Sequence, residues 1–272
     1  ADPVYNAQVI CEQAKEAAEH GAKIVVFPEL CITGYTCNDL FLQELLLEKA
    51  KEALLTIAEE TGQLETLFLV GLPVDKDGRL YNVAAVLYRG RILGMIPKKN
   101  IPMYAEFYEG RHFTPGEETV TEYRLGKQVI PFGSNLLFRC EELPELILGC
   151  ELCEDLWVAE PPSTSHALMG ATVIANLSAS NETVSKDDYR TLLVKASSAR
   201  LLCGYIYTSA GEGESTQDLV FGGHDLIAEN GTLLAQSARF TTGILYTDLD
   251  VLKISSERRR MGTFGKRPMK PY

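Results

Sequence analysis

The stretch ILGCELCEDLWVAE, residues 147–160, sets the fold class. Its apolar start reads as a buried strand, and the strand ends in Cys153-Glu154-Asp155. A thiol and two carboxylates are thus delivered to the C-terminal end of a strand, where α/β proteins place their chemistry. Two other strands end in the same manner. Residues 23–27 (KIVVF) lead into Pro28-Glu29-Leu30, and residues 92–96 lead into Pro97-Lys98-Lys99. Three loops meeting at one sheet edge would place Cys153, Glu29 and Lys98 together.

The remaining chain supplies the layers around these strands. Residues 6–20 form an amphipathic helix with Ile10, Cys11, Ala14, Ala17 and Ala18 on one face, and Gly21 stops it. Residues 39–60 are a leucine-rich helical region, as two helices or one bent one. Residues 67–72, 80–88 and 92–96 read as a β-meander, with turns at 75–78 and 89–91. Residues 102–118, PMYAEFYEGRHFTPGEE, are too aromatic and too long for a simple connection and read as a functional loop. Strands are predicted at 136–139, 146–150, 172–177, 204–209, 222–227 and 233–236, with helices at 163–169 and 187–202 and a hairpin turn at Glu229-Asn230-Gly231. Helix, Gly21-Ala22, strand recurs as helix, Gly170-Ala171, strand, as two similar α/β halves packed sheet to sheet would show. The expectation is a four-layer α-β-β-α sandwich over residues 1–256. The basic, Gly- and Pro-containing residues 257–272 read as a linker or docking arm.

A hydrophobic fraction of 46% in 272 residues supports a globular chain, and a net charge of -11 disfavours nucleic acid and anionic membrane surfaces as partners. Seven cysteines, an odd number scattered through apolar segments, suggest reduced thiols and a cytoplasmic protein. No apolar run approaches the roughly 20 residues that a membrane span needs. The sequons at Asn176, Asn181 and Asn230 then carry no meaning.

A nucleophilic cysteine needs a base. His20, His112, His166 and His224 each stand alone in the sequence, which leaves a Cys-His pair unsupported and favours a carboxylate with a lysine. Lys99 competes with Lys98 for that part. Cys150-x-x-Cys153 has no second ligand pair, so a metal is not expected. Residues 211–216 (GEGEST) have the glycine spacing of a phosphate loop but lack the lysine and carry two repelling glutamates.

FPELCITGY (27–35), PKKNIPMYAEFYEGRHF (97–113) and CEDLW (153–157) resemble the three signatures of the nitrilase, or carbon-nitrogen hydrolase, superfamily. The longer motifs CEDLWVAEPPS, GATVIANLSASNE and GESTQDLVFGGHDLIAENG resemble one branch, the glutaminase domains of glutamine-dependent NAD synthetases. That resemblance implies a nitrilase-like four-layer fold, Cys153 as nucleophile, Glu29 as general base and Lys98 as stabiliser of the oxyanion together with a backbone N–H at Glu154. It implies Glu109 as a second glutamate that buttresses the lysine and helps to read the substrate, and Tyr104, Ser180, Lys186 and Tyr35 as lining of a glutamine pocket. Such domains act on L-glutamine, feed ammonia to a C-terminal synthetase domain that uses ATP and Mg, need no cofactor of their own, and form homo-oligomers. The family usually begins with a strand before its first helix, and none is expected here. A stand-alone amidase acting on another amide or carbamoyl compound, or a silent regulatory domain, is the alternative.

Overall fold

The computed structural model describes residues 1–215, 218–265 and 267. Helix α1 (Pro3–Glu19) precedes β1 (Ile24–Val26), and α2 (Glu44–Glu60), preceded by a 3-10 turn at Asn38–Leu42, crosses to β2 (Leu67–Lys76). Strands β3 (Arg79–Tyr88) and β4 (Arg91–Pro97) continue the meander, and β5 (Thr121–Leu125) and β6 (Gln128–Phe132) form a hairpin. Then follow β7 (Leu137–Arg139), β8 (Ile147–Leu152), α3 (Pro162–Leu168), β9 (Val173–Ser178), α4 (Lys186–Leu201), β10 (Gly204–Ser209), β11 (Leu226–Glu229), β12 (Thr232–Gln236) and α5 (Val251–Arg260).

These strands make two six-stranded sheets, ordered β1-β2-β3-β4-β6-β5 and β12-β11-β10-β9-β8-β7. The layering follows from side-chain alternation along strands that are apolar on both faces. On β2, Phe68, Val70, Leu72 and Val74 pack with Ile10 and Ala14 of α1 and Leu54 and Ile57 of α2, whereas Leu69 packs towards the other sheet. Cys150, Leu152, Ala175 and Leu177 complete the inter-sheet layer. Ile174, Tyr205 and Leu226 face α3 and α4 with Ala167 and Val194. The result is the α-β-β-α sandwich.

Helix α1 starts where the Asp2 carboxylate accepts the Tyr5 N–H at 3.0 Å with Pro3 in the first turn, and the chain leaves it through Gly21 at φ +86°. The internal echo is structural. The parallel unit β1-α2-β2 and its antiparallel meander β3-β4 recur as β9-α4-β10 with β11-β12. The equivalent exits of β1 and β9 face each other, and Glu29 N–H donates to the Ser178 carbonyl at 3.3 Å.

Three differences from the sequence reading have physical reasons. The β5–β6 hairpin was not expected, because Pro131 argues against a strand there, although Gly126 at φ +58° makes its turn. The strand expected at 222–227 begins only at Leu226: Gly222 and Gly223 serve a close backbone approach, where a Cβ on Gly211 would lie 3.0 Å from Gly223 Cα. The division at 256/257 falls inside α5.

Beyond it Arg258 stays on the domain, because the helix end of α4 needs donors, while 266 and 268–272 of the expected linker lie outside the described residues. Arg258 donates to the carbonyls of Leu201 (2.9 Å), Leu202 (2.9 Å), Ala171 (2.6 Å) and Gly170 (3.4 Å), and its guanidinium lies 4.8 Å from the Phe264 ring centroid. Arg258→Ala should therefore lower stability by about 2 kcal/mol, read as a lower urea midpoint with unchanged slope. Among the described residues no helix is long and apolar enough to cross a membrane.

Candidate active site

Four strand exits converge. From β4, Lys98 is fully buried, and its ammonium donates to Glu29 Oε1 at 2.7 Å and to Glu109 Oε1 at 2.6 Å. From β1, Glu29 is fully buried as well, and it accepts from Asn82 Nδ2 at 2.7 Å and, through Oε2, from the Ala179 N–H at 2.8 Å just past β9. Glu109 takes the Tyr35 hydroxyl at 2.9 Å.

From β8 comes Cys153, buried and held at φ +39°, a left-handed backbone that a residue with a Cβ adopts only when its surroundings enforce it. Two contacts enforce it. The Cys153 N–H donates to Asn176 Oδ1 at 3.2 Å, and the Asp155 carboxylate accepts the Leu152 N–H at 3.0 Å. Asp155 also accepts the N–H and the side-chain amide of Asn100, both at 2.8 Å, which ties the nucleophile turn to the loop that carries Lys98.

Burial sets the proton affinities of this cluster. It raises Glu29 to about 7, against the attraction of Lys98 and the Asn82 hydrogen bond and with the repulsion of Glu109. It pushes the Cys153 thiol up to about 12, with Glu29 adding to the rise and Lys98 opposing it. Burial works against the Lys98 ammonium too, but Glu109 and Glu29 hold it well above the ordinary lysine range. The resting site thus holds a protonated thiol beside a carboxylate poised near neutrality and a permanent cation. Of the three N–H bonds of Lys98, two are spent on carboxylates, and among the described residues no hydrogen-bond partner is found for the third.

In front of Cys153 lies a cavity of about 360 Å³. Its wall carries the aromatic rings of Tyr104, Phe107, Trp157 and Tyr189, the carboxylates of Glu106 and Glu154, Ser180 and Lys186. The Lys186 ammonium stands 5.3 Å from the Phe107 ring centroid and 5.2 Å from that of Trp157, and donates to Asn181 Oδ1. Burial lowers its pKa.

The carbon-nitrogen hydrolase family model matches residues 1–259. The chain belongs to that family. Among curated proteins, the glutamine-dependent NAD(+) synthetase of Mycobacterium tuberculosis is 44% identical over 265 residues, 97% of this chain and 39% of the relative; that of Thermotoga maritima is 32% identical over 90% of this chain and 39% of the relative. The chain thus spans about two fifths of the length of these relatives. Among solved structures, the glutamine-dependent NAD(+) synthetase of Cytophaga hutchinsonii superposes with a TM-score of 0.79 at 30% identity, over 89% of this chain and 39% of that one. An amidase of the nitrilase superfamily from Nesterenkonia shares the fold alone, with a TM-score of 0.71 at 21% identity over 96% of this chain and 91% of its own.

Within this carbon-nitrogen hydrolase fold, Glu29, Lys98, Glu109 and Cys153 come together, and Tyr104, Ser180, Lys186 and Glu154 line the cavity in front of them. Tyr35 does not line it. It stands behind Glu109, beside a separate cavity of about 60 Å³. Glu109 bonds Lys98 and Tyr35 and is not part of the larger cavity's lining, whose carboxylates are Glu106 and Glu154. The Tyr104 hydroxyl already donates to Glu154, at 2.9 Å. The histidines serve elsewhere: His166 bonds the Ser134 carbonyl, His112 lies against Asp39, His224 against Arg190 and His20 against the Glu16 carbonyl. Cys150 packs between the sheets, and both cysteines of the CxxC are free thiols. Asn82, Asn176 and Glu106 escaped the sequence reading as site residues, and Asp155 and Trp157 entered it only as parts of the motif at Cys153. The signal for Asn82 was a lone amide inside the apolar run of β3.

Proposed function

We propose that the chain is a glutamine amidohydrolase that converts L-glutamine and water to L-glutamate and ammonia through a thioester on Cys153, and that the ammonia serves a C-terminal NAD synthetase domain that amidates deamido-NAD. One observation carries the reading: the buried Cys153–Glu29–Lys98 cluster opens on a cavity whose wall holds both a cation, Lys186, and carboxylates, Glu106 and Glu154. Such a wall suits a zwitterion. An α-carboxylate pairs with Lys186 and Ser180, and an α-ammonium pairs with Glu154 and Glu106. A neutral amide would leave these charges unmatched, at a cost in binding.

The steps follow from the geometry. Glu29 takes the thiol proton as Cys153 Sγ attacks the side-chain amide carbon. The third N–H of Lys98 and the Glu154 N–H hold the oxyanion. As the tetrahedral intermediate collapses, Glu29 returns the proton to the leaving nitrogen, and ammonia departs. A water then gives its proton to the same carboxylate and attacks the thioester; collapse releases glutamate and the thiol. Tyr35 and Glu109 act behind the cavity by fixing Lys98. No step calls for a metal or cofactor, and ATP and Mg belong to the synthetase domain. We place the protein in the cytoplasm as a homo-oligomer joined by nitrilase-type interfaces, without nucleic acid or membrane partners.

Because Glu29 accepts a proton only when ionised, and burial raises its pKa from 4.5 to about 7, activity is low below that value and rises with pH through it. The pH profile of kcat/KM should show this inflection near 7. Asn82→Ala removes a hydrogen bond that favours the ionised carboxylate, so the inflection should move up. Ammonia release across a panel of L-glutamine, L-asparagine, propionamide and N-carbamoyl amino acids tests the function itself. Glutamine is expected to give the highest kcat/KM; preference for a neutral amide or a carbamoyl compound would refute it.

A further inference from the structure

Arg190 is a fully buried arginine that the reaction scheme does not use. It lies on α4 one turn after Lys186, and its paired donors reach residues 180–182, of which Ser180 lines the cavity, and His224. Nη2 donates to Ser180 Oγ at 3.2 Å and to the Asn181 carbonyl at 3.1 Å; Nη1 donates to Glu182 Oε1 at 2.8 Å and to His224 Nδ1 at 2.8 Å, while Nε has no partner among the described residues. Glu182 is shared with Arg239 at 3.7 Å, and Arg239 pairs with Asp187 at 3.2 Å, so the local charge is balanced. What Arg190 contributes to this wall is therefore orientation more than net charge.

A guanidinium only donates. Ser180 Oγ must therefore accept on the side facing Arg190, and its own hydrogen points elsewhere. The neighbouring Tyr207 hydroxyl has no hydrogen bond of good geometry, and the Ser180 backbone is fixed by its N–H to Ser209 Oγ at 3.1 Å. Two acceptors are in reach of that hydrogen: the Tyr207 hydroxyl, and a ligand in the cavity that Ser180 lines together with Lys186. The same guanidinium also takes the carbonyl of the next residue, Asn181.

We propose that Arg190 is the positioning residue that makes this wall selective for a free α-carboxylate: it never touches the substrate, but turns Ser180 into a donor. The proposal rests on the glutaminase reading and deepens it. It predicts discrimination between L-glutamine and its α-amide, which carries the same scissile group without the carboxylate charge.

The test is steady-state kinetics on the 272-residue chain with both substrates. Arg190→Lys keeps a charge but loses the fork, and should raise KM for glutamine about tenfold, the size of one lost hydrogen bond to a charged group. Its kcat should stay within about threefold, and preference over the α-amide should fall by a similar factor of about ten. In a Ser180→Ala background the same change should add little, because both substitutions remove one interaction. Arg190→Met with Glu182→Gln removes both buried charges together and should lose selectivity in the same way, which keeps the test decisive where Arg190→Lys folds poorly. Equal losses on the two substrates, or KM effects that multiply in the double variant, overturn the proposal. Glutamine turnover by the wild type with selectivity unchanged in the variants refutes the role of Arg190 alone. Neither turnover nor binding of glutamine by the wild type refutes both readings.

Discussion

Cys153→Ala abolishes ammonia release, with kcat down by about 10⁴-fold or more, while the unfolding midpoint stays close to that of the wild type. The loss is large because no neighbouring group replaces the nucleophile, and enzymes deprived of theirs retain only what binding and oxyanion contacts supply. Cys150 cannot substitute, because it packs between the sheets and does not line the cavity. The fold survives because alanine keeps the Cβ, and the contacts that hold φ at +39° are made by the Cys153 backbone and by Asp155, not by sulfur. Residual activity within a hundredfold of wild type would mean that the reaction runs without a covalent step at this residue.

Glu29→Gln lowers kcat/KM by about 10³-fold, within the range that a positioned acid–base group supplies. The glutamine side chain fits the same space, and Lys98 remains paired to Glu109 at 2.6 Å, so the cation is not stranded. What disappears is the acceptor for the thiol proton in a site where burial already pushes the thiol to about 12. One base serves both half-reactions, so pre-steady-state kinetics should show neither a burst of ammonia nor accumulation of thioester. A burst followed by slow turnover would assign the first proton transfer to another group.

The strand exits were legible in the sequence because an apolar run that stops abruptly at Pro-Glu, Pro-Lys or Cys-Glu-Asp can do little but leave a buried sheet. The two sheets were legible for a related reason: strands such as β2 are apolar at both odd and even positions and need a covering layer on each side. What escaped is what depends on long-range placement. Asn82 and Asn176 sit inside strands among buried apolar residues, and their partners, Glu29 and the Cys153 backbone, are 53 and 23 positions away. Tyr35 follows Glu29 closely in sequence, yet the loop carries its ring behind Glu109 and not into the ligand cavity. The basic run at Arg258 reads as a linker or docking arm, because nothing local reveals that unpaired carbonyls of α4 and of the turn before β9 wait for a donor.

The central claim, that this chain cleaves the glutamine side chain through Cys153, is tested most directly by acid-quenching the wild-type protein during turnover of L-glutamine and sequencing its peptides by mass spectrometry. A γ-glutamyl adduct on the peptide containing Cys153, confined to that sulfur and not to Cys150, is the expected result. Ammonia release with no adduct on Cys153, or with the adduct on another residue, would contradict the account.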